Sequence, residues 1–440
     1  MKRFLFLCFL LTGLAFSQEK SPRLTLLECL RLAEENNLQL RQASLAVRAA
    51  TCTREEAFTK FLPQLSSSAT YTYLGRPPEI SLPGLPGSFQ LTKAGLSSLS
   101  LTLAQPVFTG GLLSASYQQA VENVKATSYQ YQSVKQNVFL EVEKAYWGIL
   151  KAQRAVEVTR ELRKQAEEHR RVASSLFEQG LATKLDLLKT DVFLAEVARA
   201  IVEADNAVRL ARASLGYLLH QELAPQLEFE DILEKEGTSW SLENWQQLAR
   251  ENRPELASVR AARRVAEQAV TVARSGYFPQ VALAWSFTEE KGTQSAPSHW
   301  RGSWNLVAAV NLNIWDWQAT RDRVERARTQ LVQAETACQQ LLSTIELEVK
   351  TAYLNCQSAR ERIRVSRAAL TEAEENLRLT NLAYREGIAT TTEVLDAQVA
   401  LSQARHSYCQ AWYDYQVASA QLRYSAGGSP DLKPSPHRQE

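Results

Sequence analysis

Proline is missing from residues 107–224 and again from residues 298–429 of this 440-residue chain. Glycine is nearly as scarce in the second stretch, where Gly387 is the only one between Gly302 and Gly427. Such long absences of chain breakers favour long helices. The isolated glycine then marks a turn. Uncharged apolar runs are short as well: none after the first residues approaches the ~20 that a membrane-crossing helix requires, so transmembrane helices are excluded. Neither sign of charge dominates, with 50 basic against 48 acidic residues, so nothing points to a basic nucleic-acid surface and no nucleic-acid partner is expected.

Metal and catalytic patterns are lacking too. His169, His220, His299, His406 and His437 have no metal-ligand spacing and are expected at the surface. No HExxH, GxSxG, P-loop or CxxC pattern occurs, so neither enzyme activity nor a cofactor is expected. Cys8 lies in the leading apolar run, and Cys29, Cys52, Cys338, Cys356 and Cys409 are odd in number and far apart. They form no disulfide framework and are expected as small buried hydrophobes.

What is present begins with an export signal. Lys2 and Arg3 precede an apolar run over 4–16, and Ala15 with Ser17 supplies the small residues of a cleavage site, so 1–17 reads as a signal peptide. At the other end, residues 425–440 are rich in Gly, Pro and charge and are expected to be a disordered tail.

Between the ends lies a duplication. Residues 25–64 align without a gap on 241–280, with Leu32, Ala33, Glu35, Asn36 and Leu40 meeting Leu248, Ala249, Glu251, Asn252 and Leu256. The later halves align at a second constant offset, at which Tyr146 meets Tyr353, Gly180 meets Gly387 and Thr183 meets Thr390. The offset changes only where the first copy has a longer Pro/Gly-rich segment, 75–95, as a loop insertion would. The repeats are 24–219 and 241–424, and 220–240 joins them, expected around the waist of a helical barrel.

Apolar residues in each copy follow a three-four spacing. Val138, Val142, Ala145, Ile149, Ala152 and Val156 form one stripe, and Ile345, Val349, Ala352, Cys356 and Ile363 another. A seven-residue repeat of this kind calls for supercoiled helix packing. A helix over 112–179, at ~1.5 Å per residue, reaches roughly 100 Å. Helices over 26–60 and 184–219 match it if stacked end to end, and 241–276, 319–385 and 391–424 repeat the arrangement.

Each copy also carries two runs of alternating polarity, expected as strands over 63–74, 96–108, 279–288 and 304–315. Their length suits tilted membrane strands. Phe61, Phe108, Tyr277, Phe278, Trp315 and Trp317 mark the helix-proximal ends, and Tyr73, Phe89, Trp300 and Trp304 the distal ends, as aromatic girdles would. The four strands of one chain cannot stand in lipid, because a spanning sheet must close on itself. Several chains must share a barrel: two would fill its interior with side chains, whereas three give twelve strands around a lumen.

With these features the chain resembles the TolC-like outer-membrane efflux protein family. The resemblance covers residues 24–424 and is carried by Gln105-Pro-Val-Phe-Thr-Gly-Gly111 and by the paired turns Phe177-Glu-Gln-Gly-Leu-Ala-Thr183 and Tyr384-Arg-Glu-Gly-Ile-Ala-Thr390. It implies a membrane β-barrel on a long α-helical barrel, formed by a homotrimer in outer-membrane lipid and reaching across the periplasm. It further implies a periplasmic adaptor and an inner-membrane pump or ABC transporter as partners. The function expected is a passive exit duct of a tripartite efflux or export system. The alternatives are the outlet of a type I protein secretion system and a structural coiled-coil stalk without a pore.

Two departures stand out. Trp317-Gln318 replaces Gly110-Gly111, so that strand-to-helix turn is not expected to share the same backbone conformation. Ala389 stands where a basic tip lock would need a cation, with Lys184 and Arg385 as nearby substitutes. Asp186, Glu393 and Asp396 are candidates for acidic rings at a constricted tip. Thr183 with Asp186 and Thr390 with Glu393 equally fit capping boxes. Gly180, Leu181, Thr183, Tyr384, Gly387, Ile388 and Thr390 are the candidates for the tip turns and adaptor contact, with Tyr384 either bonding across the tip or packing in its core.

Overall fold

A computed structural model of the chain describes residues 23–81, 88–90, 92–224, 227–231, 241–293, 296 and 298–428. The expected signal peptide, 1–17, and the tail beyond 428 lie outside them. The elements are β1 (Arg23–Leu24), α1 (Leu26–Asn36), α2 (Leu38–Thr59), β2 (Gln64–Tyr73), β3 (Glu79–Ser81), β4 (Ser88–Gln90), β5 (Gly95–Phe108), α3 (Leu112–Glu178), α4 (Lys184–Leu219), β6 (Glu228–Phe229), α5 (Leu242–Asn252), α6 (Pro254–Arg274), β7 (Gln280–Lys291), β8 (Arg301–Asn311), α7 (Ala319–Arg385) and α8 (Thr391–Ser425). The chain divides into two compact units, one of 1–38, 137–240 and 352–424, the other of 39–136, 241–351 and 425–440.

The second unit holds an antiparallel sheet in the order β2-β5-β7-β8. Register sorts its side chains by face. Leu65, Leu103, Trp285 and Leu306 align across the sheet on one side, and Ser66, Thr102, Ser286 and Asn305 on the other. Hydroxyls meet along the polar face, where Ser68 Oγ lies 2.9 Å from Ser100 Oγ. The outer edges of β2 and β8 have no neighbour strand among the described residues. Beneath the sheet, Ala249, Leu256, Ile345 and Val349 form a helical core, and Arg264 donates to the Glu122 carboxylate at 2.6 Å.

In the first unit the stripe residues Val138, Val142, Ile149 and Val156 are buried on α3. Ala359, Ile363, Ala411 and Tyr415 pack α7 against α8. The connecting segment is tied in by β6, which pairs in parallel with β1. Tyr146 on α3 donates its hydroxyl to Glu230 O at 2.6 Å, and Asp231 accepts from Arg154 and from Tyr413.

Several expectations need correction. The helix expected over 26–60 is broken at Asn37 and that over 241–276 at Arg253. Pro254 has no N–H to continue a helix and forces the preceding Arg253 to extended backbone. Asn37, at the matching position, turns its side-chain amide to Leu218 O at 2.8 Å. The last strand runs from Arg301 to Asn311 rather than over 304–315, because its partner strand starts at Gln280, after Pro279, which cannot donate to a ladder. The third strand runs on past 288 to Lys291, held by Ser97 and Ser98. The inserted loop of the first copy contains a short hairpin, β3 with β4.

The tail does not begin at 425: α8 continues to Ser425, whose carbonyl accepts from Arg253 at 2.8 Å, and Gly427 packs against the backbone of Asn252. Cys29 is buried, which pushes its thiol up to about 12, but Cys52 is exposed. The Trp317-Gln318 turn does adopt the conformation of its glycine counterpart, with φ of 52° and 68° against 61° and 87° at Gly110 and Gly111. The left-handed backbone of Trp317 costs ~1–2 kcal/mol through its Cβ, and the turn that joins β8 to α7 imposes it all the same.

Candidate functional site

The two hairpin tips are built alike. α3 ends at Glu178, and Gly180 N donates to Phe177 O while Leu181 N donates to Leu176 O. α7 ends at Arg385, and Gly387 N donates to Tyr384 O while Ile388 N donates to Ala383 O. These paired bonds are a Schellman motif, which needs a left-handed residue just past the helix. Gly180 and Gly387 supply it at φ of 75° and 70°. In each turn the next residue is apolar yet uncovered, Leu181 being 73% and Ile388 80% exposed.

Each descending helix then starts with a closed capping box. Thr183 Oγ1 accepts from Asp186 N at 3.3 Å, and an Asp186 carboxylate oxygen accepts from Thr183 N at 3.0 Å. Thr390 and Glu393 make the same exchange at 3.3 and 2.6 Å. The Thr183 hydroxyl holds Asp186 below the usual carboxylate range, and the Thr390 backbone N–H does so for Glu393. Both acids are thus engaged at helix N-termini. Asp396, one turn further, is exposed and in no hydrogen bond or ion pair among the described residues.

Polar contacts join the hairpins. Tyr384, 8% exposed, lies with its hydroxyl 3.2 Å from Thr391 Oγ1, and Thr391 in turn acts on the Asp186 carboxylate. Lys189 donates to Thr392 Oγ1 at 3.0 Å. Arg385 faces Glu168 and borders a cleft of about 380 Å³ with His169 and Gln398.

His169 was expected at the surface but is 5% exposed, its ring 4.9 Å from that of Tyr384 and its Nε2 without a hydrogen-bond partner among the described residues. Burial lowers its pKa, against the opposing pull of Asp186. Its position was open to detection: Ala166, His169 and Ala173 continue the three-four stripe of α3.

The expected girdle residues flank the sheet at its helix-side end. Phe108 closes β5, Phe278 precedes β7, and Trp315 and Trp317 follow β8 with ring centroids 5.8 Å apart. All four are exposed, whereas Phe61 packs against Phe58 and Tyr117.

An amphipathic sheet with open edges, carried on paired long helices, defines an outer-membrane channel. The chain belongs to the outer membrane efflux protein family, whose sequence profile matches residues 29–219 and again 245–428. Alkaline protease secretion protein AprF of Pseudomonas aeruginosa is 26% identical over 424 residues, covering 93% of this chain and 86% of that protein. Outer membrane protein TolC of Escherichia coli strain K12 is 22% identical over 437 residues, covering 95% and 85%. Among solved structures, CusC superposes with a TM-score of 0.80 at 20% identity over 92% of both chains, and the outer-membrane channel OprN with 0.79 at 20% over 92% and 90%. The protein is an outer-membrane channel that extends into the periplasm, in a family of conduits rather than enzymes, and works as the outer-membrane component of a tripartite system.

Proposed function

We propose that three copies of this chain close a twelve-stranded barrel, four strands from each, and form a passive exit duct for small toxic compounds. The observation that carries this reading is the sheet itself: among the described residues β2 and β8 present unpaired edges, and backbone groups left open in hydrocarbon cost several kcal/mol each. Joining β8 of one copy to β2 of the next satisfies them all. The serine, threonine and asparagine face then lines the lumen and the leucine and aromatic face meets lipid. Leu181 and Ile388 offer the periplasmic adaptor an apolar contact at the tips, and an inner-membrane pump supplies the energy. Asp396, uncommitted to any cap, sets cation preference there.

Light scattering of the protein in mild detergent is expected to give a trimer, and planar bilayers are expected to show single-channel steps. Monomers without conductance would support a stalk instead. A second reading, the outlet of a protein secretion system, is favoured by the similarity to AprF. Co-purification with an ABC transporter rather than a pump would select it.

A further inference from the structure

The two repeats diverge beside the strand ends. In the first, Phe58 and Phe61 at the end of α2 and Tyr117 at the start of α3 form a triad with ring centroids 6.3, 6.1 and 6.2 Å apart. The offsets relating the repeats place Arg274, Tyr277 and Val324 at these positions in the second. Two of the three rings are gone, one of them replaced by a guanidinium. A cleft of about 460 Å³ opens there, walled by Tyr277 and Phe278 and by the first turns of α7. Val324, 5% exposed, is its floor.

Three guanidiniums, Arg274, Arg321 and Arg328, surround this floor with one acid, Glu325. They are weakly committed. Arg328 reaches Glu325 only at 3.6 Å, Arg321 donates to the neutral Gln318 at 2.9 Å, and the Arg274 side chain has no partner among the described residues. The cleft lies at the helix-side rim of the sheet, since Phe278 is followed by Pro279 and then β7, and the exposed Trp315 and Trp317 lead into α7. With the sheet spanning the outer membrane, that rim falls level with the phospholipid headgroups of the periplasmic leaflet. Arginine forks match phosphate oxygens, and aromatic walls suit the interface below them.

We propose that this cleft binds the headgroup of an anionic glycerophospholipid, with Arg274, Arg321 and Arg328 on its phosphate and Tyr277 and Phe278 against the glycerol and upper acyl chain. Each chain of an assembly carries one such site. The inference rests on the outer-membrane reading, and its failure is separable from that reading, because a channel without a lipid site still conducts.

The test is native mass spectrometry of the full assembly in mild detergent, titrated with phosphatidylglycerol. Wild type is expected to retain up to one lipid per chain in preference to phosphatidylcholine, with inorganic phosphate failing to compete. Combining Arg274→Gln, Arg321→Gln and Arg328→Gln is expected to weaken retention roughly fivefold per guanidinium, on the order of a hundredfold together, with conductance unchanged. Val324→Tyr, which restores the ring of the first repeat, is expected to fill the cleft and abolish retention with all three arginines in place. Equal retention of the two lipids by wild type, undiminished retention by the triple variant, or displacement by inorganic phosphate would overturn the proposal. So would wild type that retains no lipid because a neighbouring subunit covers the arginines.

Discussion

Alanine at Gly110 and alanine at Gly180 separate two costs that glycine conceals. Both residues have left-handed backbone, at φ of 61° and 75°. An added Cβ at Gly180 meets nothing within 4 Å, so only the backbone conformation is penalised. That penalty is ~1–2 kcal/mol, offset by ~0.4–1 kcal/mol from the stiffer unfolded chain, which leaves a loss of about 1 kcal/mol. At Gly110 the same Cβ would lie 2.6 Å from Phe278 Cβ and 3.1 Å from Ser275 O. Neither atom sits at the end of a flexible side chain, so the turn itself must shift. Overpacking of this kind adds ~1–3 kcal/mol, for a total of roughly 2–4 kcal/mol. The assay is the temperature at which the detergent-solubilised assembly dissociates on semi-native gels. Gly180→Ala is expected close to wild type and Gly110→Ala well below it. Equal losses, or a Gly110→Ala assembly as stable as wild type, would refute the steric reasoning.

Other outcomes follow from the same structure. Asp396→Asn is expected to reduce cation preference and block by multivalent cations in planar bilayers, because its carboxylate is exposed and outside both capping boxes. Thr183→Ala and Thr390→Ala each remove the acceptor of a helix N-terminal N–H, a loss of about 1 kcal/mol, read as faster amide exchange at the tip turns. Burial lowers the pKa of His169, so an opened tip binds a proton more readily than a closed one. Its contribution to tip stability is therefore expected to fall as pH drops below ~6.5. His169→Phe should flatten that dependence in amide exchange compared at neutral and mildly acidic pH. Glu143→Ala removes a carboxylate that is 1% exposed and 2.6 Å from the Arg423 guanidinium, and is expected to destabilise by about 3 kcal/mol in thermal melts.

The order and type of the main elements, the duplication, and both tip turns were legible in the sequence alone. Each is a local property. Helical stripes such as Val138 to Val156, strand alternation such as Leu99 to Leu103, and a glycine followed three residues later by a Thr-led capping box reveal themselves within a dozen residues. The resemblance to the family rested on the same segments.

Tertiary structure decided what depends on a distant partner. Strand ends follow from where Pro279 stops the ladder, and the burial of His169 and the continuation of α8 to Ser425 from neighbours far away in the chain. Asn37 breaks its helix because Leu218 O accepts its amide, a bond between residues 181 apart. Trp317 takes a glycine's conformation because the turn geometry required to bring β8 into α7 outweighs a local preference worth only ~1–2 kcal/mol. The arginine-lined cleft could be recognised only once the ends of α6 and α7 lay side by side, with the aromatic triad of the first repeat for comparison. Local preference selects the elements; packing and hydrogen bonds between residues far apart in the chain, each worth as much as that preference, select where they end and which side chains they enclose.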